Sequence, residues 1–197
     1  MKERPIIFSA ESVRAIIDGV KAQTRRVMKP QPTFEPYESD PGFWCWKDCQ
    51  WLAGGIGIPF SAIEDYSPLG VPGDRLWVKE AFQDYHSGAE SDISEQVVFY
   101  GDTAPVPAVY PPQKPKLKSP RIMPRKFSRL TLEITEVRCE RLIDIKAQDV
   151  LAEGYTTKLD LINAWNALNA KRGFPWESNP WVWVLTFRKL KEEINHG

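Results

Sequence analysis

Long apolar runs are missing from this chain. Nowhere do eighteen consecutive residues stay apolar, so the sequence offers no candidate for a membrane-crossing helix. The start, Met1-Lys2-Glu3-Arg4-Pro5, has no signal-peptide core, and the expectation is a cytoplasmic protein with no membrane partner. Cysteine is scarce: Cys45, Cys49 and Cys139 are an odd number and too few for a disulfide framework, which suits a reducing compartment. Histidine is scarcer, with only His86 and His196. Cys45 and Cys49 stand at a spacing that some zinc sites use, but a second pair of ligands is missing and no metal is expected. Gly54-Gly55-Ile56-Gly57 is not followed by the lysine and hydroxyl of a phosphate-binding loop. No dinucleotide fingerprint, metalloprotease helix or nucleophile elbow occurs, so no cofactor is expected. There is no internal repeat.

Net charge is also absent, yet the charge is unevenly placed. Seven cations (Lys114, Lys116, Lys118, Arg121, Arg125, Lys126 and Arg129) fall within sixteen residues that contain no acid, so the rest of the chain carries minus seven. Pro105, Pro107, Pro111, Pro112, Pro115, Pro120 and Pro124 crowd the same region and rule out a continuous helix. The segment from about 104 to 127 is expected to be an extended, basic, proline-rich loop. It fits either a solvated surface loop or a rail for a phosphate backbone, with Lys118, Arg121, Arg125 and Lys126 as the phosphate-facing candidates.

At 197 residues the chain is read as one domain, 1–197. Ser9 is a good N-cap, Glu11 suits a first helical turn, and Val13, Ile16 and Ile17 make one apolar stripe. Gly19 fits the left-handed position that closes a helix. Strands are expected at 5–8, 22–28, 75–82, 96–100, 128–142 and 181–187. The phase of apolar residues in 128–142 slips between Ile134 and Val137, which marks a bulge or bend. Trp181 to Phe187 is apolar on both faces and reads as an interior strand. Helices are expected at 147–153, closed by Gly154, and at 159–171, with Leu161, Ile162, Trp165 and Leu168 as a buried stripe. The pattern predicts an α+β fold built on a small, partly closed β-barrel with short flanking helices.

An aromatic-rich insertion interrupts that pattern at about 33–68. Phe34, Tyr37, Phe43, Trp44, Trp46, Trp51, Phe60 and Tyr66 lie among glycines, prolines and acids without periodicity. These rings fit a satellite core or a base-stacking surface.

Directly after the first helix comes Lys21-Ala22-Gln23-Thr24-Arg25-Arg26. A cation, a hydroxyl and two guanidinium forks held by a turn suit anion binding or acyl chemistry; the same residues also suit a solvated strand end. Glu80 shares strand parity with Leu76, Val78 and Phe82, so an acid points where apolar side chains go. It needs a cation, for which Arg25 and Arg26 are candidates. Arg75, Trp77 and Lys79 take the other parity, a combination suited to stacking and phosphate contact as well as to ordinary surface packing.

A helix ending in Gly19-x-Lys21, then Thr24-x-Arg26, a Gly73-Asp74 turn into a strand, Glu153-Gly154 at a helix end, and a closing aromatic strand together resemble the ASCH family. The resemblance covers under half of the chain: 6–26, 72–82, 128–155 and 180–187. It implies a PUA-like β-barrel and a partner that is RNA or a modified nucleoside. The larger, tryptophan-rich build is similar to ASCH proteins carried by phages and prophages. Some small ASCH members hydrolyse the acetyl amide on the exocyclic amine of cytidine, and others cleave RNA. The lysine, threonine and glutamate of the small amidohydrolases fall on Lys21, Thr24 and Glu153.

On that resemblance Thr24 is a nucleophile, Lys21 its base, and Glu153 a proton donor to the leaving amine. Lys21 suits the role if burial and the charges of Arg25 and Arg26 depress its pKa. One conflict is visible in the sequence: Lys21 and Thr24 have opposite parity on a regular strand and converge only if Lys21 belongs to the turn. The expected cleft is formed by Lys21, Thr24, Arg26, Glu80 and Glu153, with Arg25, Trp77 and Lys79 among the nucleic-acid contacts. A protein that holds a base without turnover uses the same cleft. Oligomeric state is not legible.

Overall fold

In the computed structural model the described residues are 1–32, 43–44, 58–59, 65–86, 96–100 and 117–190. The chain opens with β1 (Glu3–Ile7), α1 (Ala10–Ile17) and β2 (Gln23–Val27). Ser9 caps α1 through its side chain, which accepts from the Ser12 N–H, and Gly19 follows at φ +74°, a conformation that costs glycine nothing. Two short strands, β3 (Phe43–Trp44) and β4 (Ile58–Pro59), pair with each other. After them come β5 (Arg75–Lys79), β6 (Phe82–His86) and β7 (Gln96–Tyr100), the last two forming an antiparallel ladder. The remainder is β8 (Thr131–Arg141), α2 (Ala147–Ala152), α3 (Lys158–Asn169) and β9 (Trp181–Lys189).

The main sheet has the order β1-β5-β8-β9-β2. β1 runs parallel to β5; the other pairs are antiparallel. The fold is α+β. The expected barrel closure is not present in the ladder of the described residues, which ends at β1 and β2. The two edges approach through a side chain instead: Arg26 Nη2 donates to the Ile7 carbonyl at 2.8 Å. α1 spans the gap, burying Val13 and Ile16 in the same core as Ile6 of β1 and Leu185 of β9.

Two cores lie on opposite faces of this sheet. The first contains Leu76, Val78, Leu132, Ile134, Val137, Cys139, Trp183, Leu185 and Phe187 with α1; Leu132, Ile134 and Leu185 are wholly buried. Each such aliphatic side chain contributes about 1.5–3 kcal/mol of transfer free energy. The second core sets Val182 and Val184 against Val150 of α2 and Leu161 and Trp165 of α3. β9 is therefore apolar on both faces because a core lies on each.

The slip within β8 is a register shift between Ile134 and Glu136. It keeps Leu132, Ile134, Val137 and Cys139 on one face despite the odd spacing. β5 stops at Lys79 rather than continuing to Phe82: the Glu80 N–H points to Met123 Sδ at 3.3 Å, and Phe82 begins the ladder with β7. In α3 the buried positions are Leu161, Trp165 and Asn169, while Leu168, expected in the stripe, is 62 % exposed. A four-residue step puts Asn169 over Trp165, whose carbonyl accepts from the Asn169 amide at 3.2 Å.

Within the basic segment, Lys114, Lys116 and the prolines up to Pro115 lie outside the described residues, as do Cys45, Cys49, Trp46, Trp51 and Gly54 to Gly57. From Leu117 onward the chain is extended only in part. It makes two single 3-10 turns, Pro120–Ile122 and Arg125–Phe127, and Met123 and Phe127 anchor it on Phe82. Proline suits the first turn because its missing N–H would have no partner there.

Candidate functional site

β2 sorts its residues by parity. Gln23 and Arg25 pair in register with Thr186 and Val184, on the face that meets α2; Thr24 and Arg26 pair with Leu185 and Trp183, on the face that meets α1. Lys21 lies in the turn before the strand, and its ammonium reaches the α2 side. Its Nζ donates to Glu153 Oε2 and to the Glu153 carbonyl, both at 2.7 Å. Glu153 is the C-cap of α2, and Gly154 follows at φ +86°. Glycine is needed there twice over: a Cβ would sit in the left-handed region and 3.3 Å from Lys21 Cβ. The turn and the helix end are also joined by the Ala22 N–H donating to the Ala152 carbonyl at 2.8 Å.

Around this pair the charges interlock. Arg25 reaches Glu153 Oε1 at 3.2 Å, Glu140 Oε1 at 2.6 Å and Asp149 Oδ2 at 3.4 Å. Arg138 contacts Asp149 at 3.0 Å, Glu140 at 3.2 Å and Glu136 at 3.5 Å. Gln23 accepts from Arg25 at 2.8 Å and donates to Asp149 at 3.3 Å. Lys21, Gln23, Arg25, Asp149 and Glu153 are all buried. Burial is the main cause that holds the Lys21 ammonium below the ordinary lysine range; Glu153 opposes the shift, while Arg26 and Arg25 add to it. Tyr155, whose ring centroid is 5.9 Å from Lys21 Nζ, has its phenol pushed up by burial and by Glu153.

A depression of about 490 Å³ adjoins the pair, lined by Val20, Leu151, Ala152, Gly154, Tyr155 and Thr156. Its walls are the chain neighbours of Lys21 and Glu153. It is mostly apolar, with one aromatic ring, and neither Lys21 nor Glu153 is among its lining residues.

The structure thus brings Lys21, Arg25 and Glu153 together and sets other expected members apart. Thr24 is buried on the opposite face, with no hydrogen bond to Lys21 or Glu153 among the described residues. Arg26 stacks over Phe8 at 5.1 Å. Glu80, 2 % exposed, takes its cation from Arg129 and not from Arg25 or Arg26: Nε and Nη2 donate to its two oxygens, each at 2.8 Å. Arg129 comes from the segment beside β5, where the Val78 N–H donates to the Leu130 carbonyl, a tertiary contact that strand parity does not reveal. Gln23, Arg138, Glu140 and Asp149 are site residues that the sequence reading missed. The signal for them was faint: strand parity would have grouped Gln23 with Arg25, and Arg138 with Glu140.

Trp77 and Lys79 project from β5 on the sheet face away from α1. Lys79 Nζ lies 5.2 Å from the Trp77 ring centroid and donates to the Arg121 carbonyl. Lys118, Arg121, Arg125 and Lys126 are exposed, and Arg125 contacts Glu3 at 3.2 Å. Among the described residues there is no group of three or more histidines, cysteines and acids placed to hold a metal, and no helix long and apolar enough to cross a membrane.

No family model matches the chain, and no curated protein matches it. Among solved structures it is similar to the crystal structure of an ASCH domain from Lactobacillus crispatus JV V101, with a TM-score of 0.43 and 8 % identity over 95 % of this chain and 79 % of that one.

Proposed function

We propose that the chain is an ASCH-like protein that binds RNA or a modified nucleoside, and that Lys21 and Glu153 are the acid–base pair of a hydrolytic site acting on the acyl amide of a modified cytidine. The observation that carries this is the 2.7 Å contact between Lys21 Nζ and Glu153 Oε2, two residues 132 positions apart that the sequence resemblance names together. One proton shared across that contact serves both roles, and burial favours the neutral amine. In this arrangement the amine of Lys21 takes a proton from water as the oxygen attacks the acyl carbonyl. Glu153 passes a proton to the departing exocyclic nitrogen, releasing acetic acid and cytidine, and Lys21 then returns its proton to Glu153. Arg25, at 3.2 Å from Glu153, fixes the carboxylate. The apolar depression beside Tyr155 seats the base.

One observation favours a second reading, a reader that holds the base without turnover: Thr24, the nucleophile that the resemblance implies, faces the other side of β2. An RNA phosphodiester is the other substrate to test. Purified protein incubated with N4-acetylcytidine, and separately with RNA, decides between these by product analysis. Hydrolysis lost in Lys21→Arg and Glu153→Gln but kept in Thr24→Val supports the pair. Hydrolysis lost in Thr24→Val returns that residue to the nucleophile's role. Binding without any product leaves the reader.

A further inference from the structure

We infer that the ligand is a single-stranded oligonucleotide laid across the sheet from Trp77 on β5 toward Gln23 on β2, with Trp77 as a base-stacking station. This rests on the nucleic-acid reading above and extends it from one base to a strand. The face in question is the one that α2 and α3 cover only in part. Those helices pack on Val182 and Val184. Beyond them, toward the β5 side, the same face carries two registered rows. Arg75, Glu133 and Arg188 form one, and Glu136, Thr186 and Gln23 the other. The rows are open on the β5 side, where Arg188 is 66 % and Glu136 56 % exposed, and close at the other end, where Gln23 is buried against Asp149 of α2.

Each row is internally hydrogen-bonded. Arg188 Nη2 donates to Glu133 Oε2 at 2.9 Å, and Thr186 Oγ1, which receives the Gln23 amide at 3.4 Å, donates to Glu136 at 3.2 Å. The second row ends on Asp149, so the rows run directly into the Lys21–Glu153 cluster along one floor, with α2 as the wall.

At the far end the chemistry becomes that of a strand binder. Trp77 is half-buried and fixed by Lys79. The segment beside it exposes cations (Lys118, Arg121, Lys126) interleaved with exposed Leu117 and Ile122. Aromatic faces that stack bases, flanked by cations that track phosphates, are how single strands are held without base-specific contacts. The positive charge lies at the Trp77 end, where the backbone would enter. From β5 to β2 there are three strand spacings of about 4.8 Å each, roughly 14 Å. A stacked strand rising about 3.4 Å per nucleotide covers that distance in about four nucleotides.

Fluorescence anisotropy with labelled oligoribonucleotides of two to eight nucleotides tests this, with free cytidine as competitor and matched oligodeoxynucleotides in parallel. Affinity should climb at least tenfold between two and about five nucleotides and then level off. Trp77→Ala should weaken the longer oligomers about tenfold, Trp77→Phe should recover most of the loss, and neither should alter the affinity for cytidine. Thermal melts of the two variants check that the fold persists. Preference for the ribo series assigns the site to RNA, equal affinity assigns it to either single strand, and both support the inference. Affinity independent of length, with cytidine competing fully, overturns it and leaves the nucleoside reading standing. Absence of binding to cytidine and oligomers alike overturns both.

Discussion

Lys21 Nζ is held twice by one residue, by the Glu153 carboxylate and by the Glu153 main-chain carbonyl, each at 2.7 Å. The carbonyl belongs to a helix end, where acceptors lack intrahelical donors, so the lysine satisfies an orphan acceptor and a charge together. Both side chains are almost wholly buried, 4 % and 6 % exposed. Two segments far apart in sequence are fastened at this nitrogen, beside the Ala22 N–H to Ala152 carbonyl bond.

Lys21→Met should therefore destabilise the fold by about 3–5 kcal/mol, because a carboxylate is left buried without its partner. Glu153→Gln in the same background should recover part of that loss. Urea unfolding of the two single variants and the double variant measures the coupling. A loss below about 1 kcal/mol for Lys21→Met would mean that the pair contributes no more than a surface ion pair.

The depressed Lys21 pKa gives turnover a definite pH sense. The pair works with the single proton it shares, so the rate should fall as pH rises through a value below the ordinary lysine range, where that proton is lost and no acid is left for the leaving amine. Lys21→Arg, whose guanidinium stays protonated, should abolish turnover at every pH tested. A rate that rises through that value and then levels off would exclude the shared proton as the acid.

Asp74 sets the acid limb of stability. The Lys2 N–H at 2.7 Å, and after it Arg4 and the Val71 N–H, hold its carboxyl below the usual carboxylate range. A depressed carboxyl stabilises the fold above its unfolded pKa of about 3.9, and that contribution fades as pH falls through the lower folded value. Asp74→Asn should be less stable than the parent at neutral pH, and the difference should shrink below about pH 4. Unfolding midpoints across that range report it.

Glu80 should act on stability and not on nucleic-acid affinity. Arg129→Met removes its bidentate partner and should cost about 3 kcal/mol by denaturant unfolding. Affinity per folded molecule should hold; a parallel fall in affinity would place Glu80 or Arg129 on the ligand.

Neutralising Lys118, Arg121 and Lys126 together should weaken binding of single-stranded RNA and lower the slope of log affinity against log salt by about two units, at about 0.7 per phosphate contact. Adding Arg125→Gln should change little further, because that guanidinium already faces Glu3. Salt titrations at fixed temperature check both.

What was legible in the sequence was local. The Ser9 cap, the left-handed Gly19 and Gly154, the alternation of β5 and the phase slip of β8 each depend on residues a few positions apart. What was hidden depended on distant partners. Glu80 needed Arg129, 49 residues on, and Arg25 needed Glu140, 115 residues on. The parity conflict between Lys21 and Thr24 was visible from the start, and the turn after Gly19 did not resolve it. It carried Lys21 to the α2 side and left Thr24 with the α1 core. The open ladder was hidden for another reason: strand patterns say which faces are apolar, not whether the last strand meets the first.

Thr135 is the unpaired residue of β8, exposed between Ile134 and Glu136. Because the ladder leaves that residue out, a single continuous strand supplies lining to the hydrophobic interior along its whole length and still presents Glu136, Arg138 and Glu140 outward. Pairing Thr135 in regular alternation, with no residue skipped, would reverse the orientation of everything after it. Arg138 and Glu140 would turn toward the α1 core, while Val137 and Cys139 would turn out among the carboxylates. The skipped pairing at Thr135, more than the side chain there, is what lets the ionic cluster and the greasy interior share one strand.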